Sequence, residues 1–139
     1  MRDTLLKAAM VIVAAFAAAA TAPSRAQTTA PDGKALFLKN CAACHQATGK
    51  GIPGAFPPLA GSKFVQGSGS DVATVLLKGR GGMPDFSDSL SDREIAAILS
   101  FVRSSWGNQA APLSEPEVLA LRDVLQVDHF SNGQMSNKH

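Results

Sequence analysis

The chain has 139 residues and a mass of 14.4 kDa, of which 45% are apolar and 17% charged, with two Cys, three His and no Tyr. That fits one small globular domain and excludes a second catalytic domain. The formal net charge of +2 belongs to the first 26 residues, where Arg2, Lys7 and Arg25 fall with Asp3; ten basic and ten acidic side chains remain beyond them, a balance that gives no indication of nucleic-acid binding.

The first segment reads as an export signal. Arg2 and Lys7 make a positive start, Ala8 to Ala20 is an unbroken apolar run, and Ser24-Arg25-Ala26 offers a small-x-small cleavage site before Gln27. The run is shorter than the roughly 20 residues a membrane span needs and lacks a positive stop-transfer cluster. The expectation is therefore a periplasmic mature chain of residues 27–139 with no stable membrane span, an uncleaved anchor being the alternative. In an oxidising compartment two Cys would ordinarily form one disulfide.

Asp32 to Asn40 predicts a first helix, with Leu36 and Phe37 as its apolar contacts and Gly33 admitting a close neighbour. It leads into Cys41-Ala42-Ala43-Cys44-His45, a C-x-x-C-H motif, which is the attachment pattern for a c-type haem. Two thiols one helical turn apart can each form a thioether to a haem vinyl group, and the adjacent His can bind the iron. A redox-active C-x-x-C of the thioredoxin kind and half of a zinc site are the alternatives. The first calls for a βαβ pattern, which is absent, and the second for two further Cys or His at suitable spacing.

The Gly/Pro-rich stretch from Gly49 to Gly61 reads as a loop. Asp71 to Lys78 predicts a short helix with Val72, Val75 and Leu76 on one face and Gly79 as its stop. Then comes Arg80-Gly81-Gly82-Met83-Pro84. An electron-carrying haem needs a second axial ligand, and Met83, flanked by two Gly and a Pro, is poorly placed for helix-core packing and well placed to meet a flat cofactor. The other candidates, His129, Met135 and His139, lie in a polar tail. Ser91-Asp92-Arg93-Glu94 is a capping box opening a helix with Ile95, Ile98, Leu99, Val102 and Trp106 at helical spacing. Ser114-Glu115-Pro116-Glu117 repeats that pattern ahead of an apolar stripe of Val118, Leu121, Val124 and Leu125, running to about Val127. This last helix reads either as packed on the domain or as a docking helix for a partner subunit. Residues Ser131 to His139 read as a disordered tail.

From about Asp32 to Trp106 the chain resembles a small class I cytochrome c. The resemblance rests on three blocks in the family's order: Cys41 to His45, Phe56-Pro57-Pro58-Leu59-Ala60-Gly61, and Gly82-Met83-Pro84. It implies an all-α cytochrome c fold of three to four short helices wrapped around one haem c, covalently attached through Cys41 and Cys44, with a C-terminal extra helix. It implies that the Pro57 carbonyl accepts the His45 Nδ1 proton, that His45 and Met83 bind the iron, and that Gly33, Phe37 and Phe101 form the crossing of the first and last family helices. The organisation expected is a signal peptide at 1–26, a monohaem domain at 27–109, and an extension at 110–139.

The function expected is periplasmic one-electron transfer, as a soluble carrier or as the cytochrome subunit of a dehydrogenase, with redox proteins as partners; the protein is not itself an enzyme. Extensions like Ser105-Trp106-Gly107-Asn108 followed by a short helix resemble those of cytochrome subunits of periplasmic dehydrogenases. Lys50, Lys63, Lys78 and Arg80 offer a cationic rim for an acidic partner or are simply solvated. The alternative is a peroxidase-like haem enzyme or ligand sensor, which would need an open sixth position and a distal acid-base residue. So short a chain buries too little surface to be robust alone, and the haem makes up the missing apolar area, so its loss is expected to unfold the protein.

Overall fold

The computed structural model describes residues 29–128; the segment expected to be an export signal and the tail carrying His129, Met135 and His139 lie outside the described residues. Six helices follow one another: α1 Gly33–Asn40, α2 Ala42–His45, α3 Lys63–Gln66, α4 Gly69–Lys78, α5 Asp92–Ser104 and α6 Glu115–Leu125. Among the described residues there is no strand, only the isolated bridges Ile52–Phe56 and Arg80–Met83. No described helix is long and apolar enough to cross a membrane. The all-α expectation holds, with five helices ahead of α6 instead of three or four because α2 and α3 are single turns.

The helix starts follow local chemistry. The Asp32 carboxylate accepts from Lys34 N and Ala35 N at 2.9 and 3.2 Å, meeting two of the amides a helix start leaves bare. At α5 the capping box is complete: Glu94 N donates to Ser91 Oγ at 3.3 Å and Ser91 N to Glu94 Oε2 at 2.9 Å. At α6, Ser114 N and Oγ donate to Glu117 Oε2 at 2.7 and 2.6 Å.

The frame is the crossing of α1 and α5. A Cβ on Gly33 would stand 2.1 Å from the Ala97 carbonyl oxygen, so only glycine lets the backbones meet there. One turn on, Phe37 is fully buried and its ring lies 5.5 Å from Phe101 and 5.1 Å from Trp106, while Phe101 and Trp106 meet edge to face at 5.3 Å. Such aromatic pairs contribute about 0.5–1.5 kcal/mol each beyond burial. Trp106 makes these contacts from outside the helix, contrary to its expected place in the α5 stripe. The helix ends at Ser104, Ser105 is extended, and Trp106 has φ +53°.

Helix α6 packs on α4 and α5 and shares their core through buried Val118 and through Leu121 and Leu125. Val124 departs from the expected stripe: it is 77% exposed, and the fully buried position on α6 besides Val118 is Arg122. Two buried cations and an amide hold the periphery together. Arg103 donates to the carbonyls of Ala111, Val65 and Gly67 at 2.7–3.1 Å, tying α5 to α3 and to the segment before α6. Asn108 Oδ1 accepts from Gly61 N at 2.9 Å, and its Nδ2 donates to Leu59 O and Val102 O at 3.0 and 2.8 Å. The 49–61 loop is thereby pinned to the end of α5.

Candidate haem site

The Cys pair sits where α1 passes into α2. Cys41 N donates to Phe37 O at 2.9 Å, and His45 N to Cys41 O at 3.0 Å, so the two thiols and the imidazole share one turn. Gln46, at φ +64°, ends that turn. Both thiols are free, Cys41 half-buried and Cys44 exposed. Burial, with the adjacent Cys44 adding to it, pushes the Cys41 thiol up to about 11. That is the reverse of the lowered thiol pKa on which a thioredoxin-type dithiol depends. Among the described residues no three of His, Cys, Asp and Glu are arranged to hold a metal ion.

His45 is buried, and its Nδ1 lies 3.0 Å from the Pro57 carbonyl oxygen. A carbonyl only accepts, so Nδ1 carries the proton and Nε2 keeps the lone pair free for a metal. The loop that presents Pro57 depends on Gly51. This residue has φ +65°, and a Cβ on it would stand 2.3 Å from Phe56 O and 2.7 Å from Pro57 O. Paired bonds between Ile52 and Phe56 at 2.8–2.9 Å, and bonds from Leu59 N and Ala60 N to Gly49 O at 2.7 and 2.9 Å, close the loop around that approach.

Met83 reaches the same cavity as His45 from the loop after α4. Gly79, at φ +70°, ends α4 and turns the chain so tightly that a Cβ there would stand 2.7 Å from Met83 O. Arg80 and Met83 exchange two backbone bonds of 3.1 Å, and Phe86 N returns to Leu76 O at 2.7 Å, seating the loop on α4.

These pieces face one cleft with two lobes, of about 210 and 80 Å³, that share Cys41, His45, Pro57, Val75, Arg80 and Met83. The inner lobe is walled by Phe37, Leu59, Phe64, Leu76 and Leu99, and the outer one opens beside Cys44. Arg80 is the one cationic side chain on the lining, stacked with its guanidinium carbon 4.4 Å from the centre of the Phe64 ring. All five residues singled out from the sequence, Cys41, Cys44, His45, Pro57 and Met83, therefore line the same cavity. Its donor set, two free thiols, a Nδ1-protonated imidazole and a thioether on one largely apolar lining, fits a flat, covalently tethered porphyrin. Sequence reasoning missed Gly51, whose need for glycine is visible only once Phe56 and Pro57 fold back on it, and the Arg80–Phe64 stack, which joins residues 16 positions apart.

Comparison with known proteins identifies the family. The family described as "Cytochrome C oxidase, cbb3-type, subunit III" matches residues 28–102. The cytochrome c subunit of alcohol dehydrogenase (quinone) from Gluconacetobacter polyoxogenes is 34% identical over 111 residues, covering 70% of this chain and 24% of the relative. Cytochrome c-552 of Thermus thermophilus is 37% identical over 112 residues, covering 66% of this chain and 84% of the relative. Among solved structures, cytochrome c6 from the diatom Phaeodactylum tricornutum aligns with a TM-score of 0.47 and 30% identity over 54% of this chain and 91% of that one. The chain thus spans about a quarter of the dehydrogenase subunit and most of the small cytochrome. With the family match covering more than half its length, the chain belongs to the class I cytochrome c family, whose members carry covalently bound haem c.

Proposed function

We propose that the protein is a periplasmic one-electron carrier in which Cys41 and Cys44 would tether haem c and His45 and Met83 would hold its iron. The observation that carries this reading is the meeting of all four residues, with the Pro57 carbonyl, on one apolar cleft. Haem c held this way supplies an Fe(III)/Fe(II) couple. The Pro57 carbonyl fixes the His45 tautomer and ring orientation and makes Nε2 a better donor. The soft Met83 thioether favours the reduced state and raises the potential relative to a second imidazole. The Phe37, Leu76 and Leu99 wall keeps water from the inner lobe, while exposed Cys44 marks the edge at which electrons enter and leave. An export signal at 1–26 and an extension beyond residue 109 belong to the same reading.

The partner we infer is a dehydrogenase that passes electrons to this protein, by similarity to the alcohol dehydrogenase cytochrome subunit. Two measurements on the haem-loaded protein test the reading. An anaerobic redox titration follows a one-electron Nernst curve, and cyanide adds slowly to the ferric form because a bound ligand must first leave. Rapid, stoichiometric cyanide binding to a high-spin ferric protein would instead indicate an open sixth position and a ligand-binding or peroxidase-like role. Gentle affinity purification from the native cells, with staining for haem and assay for dehydrogenase activity, tests the partner.

A further inference from the structure

We propose that Arg122 of α6 is a positioning residue for Met83, fixing the far end of the chain segment 84–91 that carries this ligand; the proposal rests on the assignment of Met83 made above. Three observations meet at Arg122. First, its side chain is fully buried on a helix where only Val118 is buried as deeply and Val124 and Leu119 are exposed. Second, its polar contacts reach beyond α6. Nη2 donates to Leu90 O at 3.0 Å, Nε to the Asp92 carboxylate at the start of α5, and Nη1 to Asp128 O at 2.7 Å. Third, the segment they secure lacks a helix or a strand of its own. From Met83 the chain passes through Pro84 and Asp85, touches α4 where Phe86 N meets Leu76 O, and turns through bonds from Ser89 N and Leu90 N to Phe86 O at 3.2 and 3.0 Å.

The Met83 arm is thus held at its start by the paired backbone bonds to Arg80, on α4 by Leu76 O, and at its far end by Arg122. Between this arm and the chain leaving α6 lies an open gap of about 410 Å³, lined by Asp85, Ser87 and Asp88 on one side and Gln126, Val127 and Asp128 on the other. The guanidinium, fully buried, joins α6 to Leu90 and Asp92. A guanidinium serves here because an apolar side chain of equal volume would withdraw this donor from Leu90 O, Asp128 O and the Asp92 carboxylate. Its planar fork holds two groups at fixed geometry at once, which is what a ligand arm needs if its thioether is to stay on the iron.

The test is the first-order limiting rate at which cyanide displaces Met83 from the ferric holoprotein, followed optically at a temperature well below unfolding. Four proteins are compared: wild type, Arg122→Met, Arg122→Lys and Val118→Ala. Val118 is fully buried on the same helix and takes no part in the clamp, so Val118→Ala reports plain destabilisation. Arg122→Met is expected to raise the limiting rate at least tenfold, Arg122→Lys less, and Val118→Ala under twofold even at equal loss of thermal midpoint. Equal acceleration by Arg122→Met and Val118→Ala, or none by either, overturns the proposal. Should Arg122→Met fail to fold, Asp92→Asn weakens the same clamp at constant volume: a severalfold acceleration is expected, and an unchanged rate overturns the proposal. A wild-type protein that binds cyanide at a rate proportional to cyanide, without a limit, removes the Met83 assignment itself; a limited wild-type rate left unchanged by Arg122→Met removes only the clamp.

Discussion

Gly51 and Gly54 lie three residues apart in one loop, both with positive φ, at +65° and +79°, and substituting alanine at each separates strain from contact. A Cβ on Gly54 has nothing within 4 Å, so Gly54→Ala costs only the left-handed conformation, roughly 1–2 kcal/mol. Gly51→Ala carries that cost and places a methyl group 2.3 Å from Phe56 O and 2.7 Å from Pro57 O. Restoring ordinary contact demands a retreat of about 1 Å by the 56–57 backbone. The bond from His45 Nδ1, now 3.0 Å, would stretch to about 4 Å and be lost. Overpacking of this kind costs about 1–3 kcal/mol and the bond about 0.5–1.5 more. The total for Gly51→Ala is then about 2.5–6.5 kcal/mol, against about 1–2 for its neighbour. Guanidinium unfolding of the two haem-loaded variants measures the difference. A redox titration adds an independent reading, because loss of the Pro57 bond weakens His45 as a donor and raises the potential in Gly51→Ala alone. Equal midpoints and equal potentials for the two variants would refute the claim that this approach positions Pro57.

Other consequences follow from the same geometry. Arg103→Met leaves the Val65, Gly67 and Ala111 carbonyls without their donor, and a loss of about 2–4 kcal/mol is expected in thermal unfolding, with the spectrum of the bound haem unchanged. The Ser114 hydrogen bonds, from its hydroxyl first and its backbone second, hold the Glu117 carboxylate below its ordinary value of 4.5. A lowered folded-state pKa gives stabilisation that is present above 4.5 and lost as pH falls through the folded value. Acid titration by NMR is therefore expected to show the Ser114 amide signal moving with Glu117 below pH 4.5, and a shift centred above that value contradicts the assignment. Replacing both Cys41 and Cys44 by Ser, with haem-attachment machinery present, is expected to yield protein without covalent haem and with most of its helical circular dichroism gone; a folded, helical product contradicts the dependence of this core on its cofactor.

The parts legible in the sequence are those where chemistry dictates both residue type and spacing. Cys41 to His45 must place two thiols and an imidazole on one turn, and Met83 must leave a tight glycine turn, so both can be read without coordinates. The α5 start is equally local, since Ser91 and Glu94 satisfy one another across three residues. Elsewhere the information is long-range. The four residues of α3 are too few to show a period, and what secures that turn is Arg103, 38 positions away from Val65. Trp106 fits the α5 period but takes its place from a break at Ser105, which frees its ring to reach Phe37. Arg122 reads as surface charge because its partners Asp92 and Leu90 lie 30 and 32 residues earlier, and Val124 reads as core because periodicity alone does not say how wide the buried face of α6 is.

The central claim, that His45 and Met83 hold one haem between them for electron transfer, is tested most directly by the far-red absorption of the ferric holoprotein, recorded for wild type and Met83→Ala. Thioether ligation gives a weak charge-transfer band there. The account predicts this band in the wild type and its absence in Met83→Ala, which becomes high-spin and binds cyanide without delay. A band that survives the substitution, or a wild type that never shows one, would contradict it.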